Sequence, residues 1–202
     1  MNEPTIAGTK RLPAQGPESR TTFGFWVYLM TDFVLFSVLF AVYAVQHTST
    51  FGGPGPAELF NLSYVLAETL ILLTSSFTCG LAMIALQYQR KRQVLWLFGL
   101  TFLLGASFLG LELREFHQLA AEGNSWHRSG FLSAFFTLVG THGLHITVGL
   151  LWMATLLVRV MRGGFSKMTV RQLTLLSLFW HFLDVVWIFI FTIVYLFGVA
   201  QI

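Results

Sequence analysis

Charge is what this sequence has least of. Only 10% of its 202 residues are Asp, Glu, Lys or Arg, whereas 55% are hydrophobic. An ordinary soluble domain carries roughly a quarter charged residues, so a soluble globular fold is excluded. Cysteine occurs once, as Cys79 inside an apolar stretch. No intramolecular disulfide can form, and a small packing role suits the residue better than reactivity. Proline is absent from every long apolar run: Pro4, Pro13, Pro17, Pro54 and Pro56 all lie outside them. The first 22 residues are polar and lack the apolar segment of a cleavable signal. The first apolar run must then direct insertion itself.

What remains falls into five long apolar blocks, each close to the roughly 20 residues that cross a bilayer's hydrocarbon. The pattern predicts an all-α integral membrane protein, a bundle of five transmembrane helices. Their expected spans are 23–46, 62–86, 95–119, 131–160 and 175–199. A polar tail over 1–22 precedes one membrane domain over 23–202. The breakers fall in the connections, at Gly52 and Gly53, at Gln89 to Gln93, at Gly123 and Asn124, and at Gly163 and Gly164.

The few cations set the orientation, because Lys and Arg accumulate in short cytoplasmic segments. Lys10, Arg11, Arg20, Arg90, Lys91, Arg92, Arg159, Arg162, Lys167 and Arg171 fall on one side, and only Arg114 and Arg128 on the other. The N-terminus is therefore expected in the cytoplasm and the C-terminus in the periplasm, which an odd number of spans requires. This distribution explains the net charge of +3 without a nucleic-acid partner. Trp26, Trp96 and Trp180 fall near the expected cytoplasmic helix ends, where indole rings favour the interface, although packing would serve them too. Small residues at Ser75, Ser76, Cys79 and Gly80, and at Gly140, Gly143 and Gly149, predict close helix approach. Gly99, Gly105 and Gly110 could do the same for the third helix.

Apart from Arg114, His117 and Arg159 near the span ends, eight carboxyl or imidazole residues fall inside the spans: Asp32, Glu68, Glu112, Glu115, His142, His145, His181 and Asp184. Such groups cost at least about 2.5–3.5 kcal/mol each on insertion scales, so each needs a partner or a purpose. Counting about 1.5 Å per residue from the expected cytoplasmic ends, Asp32 and Asp184 share a depth of roughly 14 Å. They could approach one another or a shared polar cleft. Glu68, Glu112 and Glu115 belong to the outer half.

Membrane histidines raise the question of a haem, which needs two imidazoles on facing helices at matching depth. His142 and His145 share one face of one helix. His181 is expected only about 9 Å from the cytoplasmic end, more than 10 Å in height from His145. That geometry disfavours an axial pair and favours hydrogen-bonded structural histidines. A stand-alone transporter would also place ionisable groups in a bundle, but usually with paired repeats and interrupted helices. Neither occurs in this sequence. The residues alone point to an accessory membrane subunit that packs on larger partners.

Several segments carry a resemblance. Phe179-Trp180-His181-Phe182-Leu183-Asp184-Val185-Val186-Trp187 resembles the last-helix signature of haem–copper oxidase subunit III, and Gly140-Thr141-His142-Gly143-Leu144-His145 that of its penultimate helix. Thr31-Asp32-Phe33-Val34-Leu35-Phe36 is similar to the segment holding that family's embedded acid, with Asp where many members have Glu. Glu115-Phe116-His117 is similar to its Glu-aromatic pair, with His replacing the second aromatic. The likeness runs in order from Phe23 to Gly198. Five helices after a short tail, Glu68-Thr69-Leu70 and the stretch Arg128 to Phe136 resemble the bo-type ubiquinol oxidases. Subunit III of a cytochrome c oxidase, which can also have five helices, is the alternative.

The resemblance implies a non-catalytic subunit of a proton-pumping enzyme that reduces oxygen to water in aerobic respiration. The complex is expected to carry two haems and one copper in subunit I, with ubiquinol as donor. This chain would hold no redox cofactor, no catalytic residue and no metal. Its expected partners are oxidase subunits I, II and IV and phospholipid, in a bacterial cytoplasmic (inner) membrane.

Overall fold

A computed structural model of the chain describes residues 17–52, 55, 59 and 62–200. Five long helices account for nearly all of them: α1 Pro17–Gln46, α2 Leu62–Gln87, α3 Lys91–Ala121, α4 Gly130–Gly163 and α5 Lys167–Ile190. A π-helical turn, Phe191–Leu196, and a last short helical segment, Phe197–Ala200, prolong α5. Each of the five is long and apolar enough to cross a membrane, and no strand occurs among the described residues.

Four of the five helices start earlier than hydropathy alone predicts. α1 begins at Pro17 rather than Phe23, since proline lacks the N–H that a helix's first turn would leave unpaired. Of the expected tail, residues 1–16 lie outside the described residues, with Lys10 and Arg11. So do Gly53, Pro54 and Pro56. α5 begins at Lys167 rather than Leu175. Ser166 caps it, its Oγ accepting from the Thr169 N–H at 3.1 Å. The first two turns of α5 are rich in polar residues, which removes them from a hydropathy span but not from the helix. Ser129 caps α4 in the same way, accepting from the Leu132 N–H at 3.1 Å.

Neighbour relations give the architecture. α2 packs on α3, α3 on α4, α4 on α5, and α5 back on α2, so these four close a ring. α1 lies outside it, against α4 and α5. Only 17% of α1's most apolar window is buried inside the protein, the least of the five. Its Phe23, Phe33, Val34 and Val38 point outward.

Two tryptophans of α5, seven residues apart and therefore on one face, fill the ring. Trp180 is 1% exposed and lies against Gly105 of α3 and Gly149 of α4, while its Nε1 donates to Ser75 Oγ of α2 at 3.0 Å. It touches all three ring neighbours. The expected interfacial place for Trp180 is thus corrected: α5 starts two turns earlier, so the indole sits deep. Trp96 does face outward, 72% exposed. Trp187 stacks on His142 of α4, meets Phe108 of α3 edge-on with ring centres 4.6 Å apart, and donates from Nε1 to Thr69 Oγ1 of α2 at 3.1 Å.

Most of the small residues do what their spacing suggested. Ser75 also donates to the Thr101 carbonyl at 3.4 Å, and Cys79 Sγ lies 3.6 Å from Ser177 Oγ. Of the three α3 glycines only Gly105 sits in a close approach. Gly99 and Gly110 face open space.

Candidate functional site

The eight intramembrane ionisable residues divide into three groups. Asp32 of α1 faces His145 of α4, with Oδ2 and Nε2 3.7 Å apart. The other imidazole nitrogen, Nδ1, is 2.8 Å from the Thr141 carbonyl, a contact that fixes it as the protonated one. The Tyr28 side chain, one turn back on α1, lies beside Asp32. This carboxyl–imidazole contact ties α1 to the ring. Nothing in the sequence joined Asp32 to His145, because which helices become neighbours is a tertiary outcome.

The second group is His181 and Asp184. The His181 Nδ1 lies 2.7 Å from the Ser177 carbonyl, and its ring reaches towards Gly80 of α2. Asp184 lies beside Ser76 of α2. Both line a shallow groove with Ser76, Phe77, Gly80 and Leu81. Asp32 and Asp184, expected at one depth, thus find different partners, and no contact joins them.

The expected height difference between His145 and His181 is overturned. Gly149 of α4 packs against Phe179 and Trp180 of α5. With antiparallel helices this places His145 within about 5 Å of the height of His181. The error came from starting α5 at Leu175. From Lys167, His181 is about 21 Å along the helix. The two rings still do not converge, since one turns to α1 and the other to α2. Among the described residues no group of three or more His, Cys, Asp or Glu side chains is arranged to hold a metal ion.

The third group lies inside the ring, towards the end opposite the basic residues. Glu68, Glu112 and His142 are almost wholly buried, and neither the carboxyl oxygens nor the imidazole nitrogens have a hydrogen-bond partner. Glu112 occupies the space beside Gly143, where a side-chain carbon would come within 3.0 Å of its Oε1. That is why the second small residue of the Gly-x-x-Gly pair is needed. Glu115, one turn on from Glu112, accepts from the Tyr195 hydroxyl at 3.3 Å. It also lines a cavity of about 270 Å³ with Tyr64, Arg114, Gln118 and Glu122. Three carboxyls are thus gathered between that cavity and the Trp187 layer.

The π-helical turn presents Tyr195. With Val194 it is fully buried, and the Val194 carbonyl accepts from Tyr43 of α1 at 3.3 Å. Such turns cluster at functional places in helices. Sequence reasoning did not find Tyr195, Tyr28 or Thr69. A buried tyrosine near a helix end looks the same in sequence as an interfacial one.

A last element is an apolar groove of about 480 Å³ between α1 and α5, lined by Trp26, Met30, Phe33, Phe36, Phe182 and Phe189 among others, with His181 on its wall. Its lining suits a hydrocarbon chain rather than a polar ligand.

Comparison with known proteins gives the family. The family model for cytochrome c oxidase subunit III matches residues 2–199. A cytochrome bo(3) ubiquinol oxidase subunit 3 of Pseudomonas aeruginosa is 55% identical over 178 residues, 88% of this chain and 85% of the relative. The protein of that name in Pseudomonas putida is 53% identical over 179 residues, 89% of this chain and 86% of the relative. A cytochrome c oxidase subunit 3 of Bacillus sp. PS3 is 48% identical over 178 residues, 88% of this chain and 86% of the relative. With a match along almost its whole length and five helices apolar enough to cross a membrane, the chain belongs to the cytochrome c oxidase subunit III family of the haem–copper oxidases.

Proposed function

We propose that this chain is the non-catalytic subunit III of a proton-pumping bo-type ubiquinol oxidase in a bacterial inner membrane. The observation that carries the reading is the 55% identity, across most of both chains, to a subunit named for that enzyme. The relative named for cytochrome c oxidase stands at 48%, which favours that donor less. In this reading the two haems, the copper and quinol oxidation belong to subunit I, and subunits II and IV complete the complex. Residues 1–22 form a cytoplasmic segment and 23–202 the membrane domain, ending in the periplasm. Eight described cations gather at the ends of α1, α2 and α3, α4 and α5 that share one side, in keeping with the positive-inside rule.

The outward aromatic and aliphatic face of α1 supplies apolar surface for subunit I and lipid. The groove between α1 and α5 receives a phospholipid chain. The polar residues Asp32, Glu68, Glu112, Glu115, His142, His145, His181 and Asp184 serve packing and the lining of these clefts.

The test is to tag the chain, extract the membrane gently and identify what accompanies it. A haem- and copper-containing subunit with quinol-driven oxygen uptake supports the proposal. Uptake driven only by reduced cytochrome c moves the chain to the sister enzyme, and a partner without haem or copper overturns both. Within the assembled complex, Asp32→Asn is expected to leave oxygen reduction intact. It removes one interhelical polar contact, of the class worth about 0.6–1.7 kcal/mol in membranes. Its measurable effect is weaker retention of the subunit in detergent. Loss of oxygen reduction with haems intact would show that Asp32 serves the chemistry.

A further inference from the structure

At the basic end, a second cavity of about 480 Å³ opens between three elements. Thr22 comes from the start of α1, Gln89 from the turn between α2 and α3, and Lys167 and Arg171 from the first turns of α5. Phe165, Val170 and Leu175 give it an apolar side. Polar and apolar linings meet here, as they do at the level where headgroups join acyl chains.

The cations at this end are not equivalent. Lys91 Nζ donates to the Met161 carbonyl at 3.1 Å, and Arg159 to Gln172 Oε1 at 2.7 Å, so both are tied to the fold. Arg171 makes one long contact, from Nη1 to Thr21 Oγ1 at 3.4 Å. Its Nε is shielded from solvent and has no partner, and no carboxylate among the described residues pairs with it. A buried guanidinium N–H without an acceptor carries a desolvation cost that an anion in the cavity would remove. The planar fork of arginine matches phosphate oxygens in two-point contact. Basic pockets between transmembrane helices are a recurrent way of holding phosphorylated headgroups.

We propose that this cavity binds a phosphate group, with Arg171 as the main ligand and Lys167, Gln89 and Thr22 around it. The apolar side formed by Phe165, Val170 and Leu175 admits the glycerol end of a lipid. The site is separate from the groove between α1 and α5, and the inference does not depend on the oxidase reading.

The experiment uses the complex that the tagged chain brings down, whatever its activity. Wild type, Arg171→Gln and Arg171→Lys are exchanged into nanodiscs of phosphatidylcholine with or without phosphatidylglycerol, and retained lipid is counted by native mass spectrometry. A parallel arm in lipid-depleted detergent titrates inorganic phosphate and reads thermal stabilisation. Arg171→Gln is expected to weaken binding about tenfold, the loss of a charge-assisted hydrogen bond, with Arg171→Lys intermediate. An Arg171-dependent loss of retained phosphatidylglycerol identifies a lipid headgroup. An Arg171-dependent phosphate response without any lipid difference identifies a soluble phosphate. Identical wild-type and Arg171→Gln behaviour in both arms overturns the proposal. If Arg171→Gln does not assemble, the exposed Lys167→Gln replaces it, with a smaller loss expected and the same overturning result.

Discussion

Trp187→Ala is expected to be the most damaging single truncation in this protein, lowering its stability by about 3–5 kcal/mol, the range for aromatic-to-alanine changes in packed cores. Trp187 is fully buried and lies against one residue from each surrounding helix: Thr69 of α2, Phe108 of α3 and His142 of α4. It also faces Tyr195, with ring centres 6.2 Å apart. In a bilayer the helices gain little from hydrophobic drive, so lost dispersion contacts carry the cost. The check is unfolding in mixed micelles, with Val185→Ala, on the outward face of the same helix, as a nearly neutral reference. Trp187→Phe should fall between them, keeping most of the ring and losing the bond to Thr69. A Trp187→Ala protein as stable as the reference would mean that the ring of four helices is not held from its centre.

The second large effect is an addition. A methyl group at Gly105 would lie 2.7 Å from two carbons of the Trp180 indole and 3.2 Å from Leu150 Cδ2. The indole cannot retreat easily. Its far edge is against Gly149, and its Nε1 is held by Ser75. Gly105→Ala is therefore expected to cost about 1–3 kcal/mol by overpacking. Gly99→Ala and Gly110→Ala, on the same helix with open space around them, should be neutral or stabilising, since glycine within a helix is worse than alanine by about 0.8–1 kcal/mol. Equal effects at the three positions, measured in the same micelle assay, would remove Trp180 from its assigned role.

These two tryptophans also show what could be read from the chain beforehand. The number of spans followed from hydropathy because a bilayer demands some twenty apolar residues per crossing. The ends did not, because a helix continues into the interface for as long as its backbone is capped, and Ser166 caps α5 well before the apolar run. That single misplacement put Trp180 at the interface and His181 near the surface. The grouping of Glu68, Glu112 and Glu115 was legible from rise alone. The pairing of Asp32 with His145 was not, because it needs α1 outside the ring and against α4. The close approach at Gly105 was equally hidden among three similar glycines, since only the facing indole distinguishes it.

The π-helical turn at Phe191–Leu196 also governs where the chain can change length. Such a turn accommodates one residue more than a regular helix would over the same rise. Removing a residue there, for example Ile193, lets the turn relax to ordinary α geometry while Trp187 and everything before it stay in place. Removing one between Trp180 and Trp187 has no such slack, and it rotates one indole about 100° relative to the other. The last helix therefore has a single joint at which its length is adjustable. Deletion of Ile193 should be recovered in assembled protein far more readily than deletion of Val185.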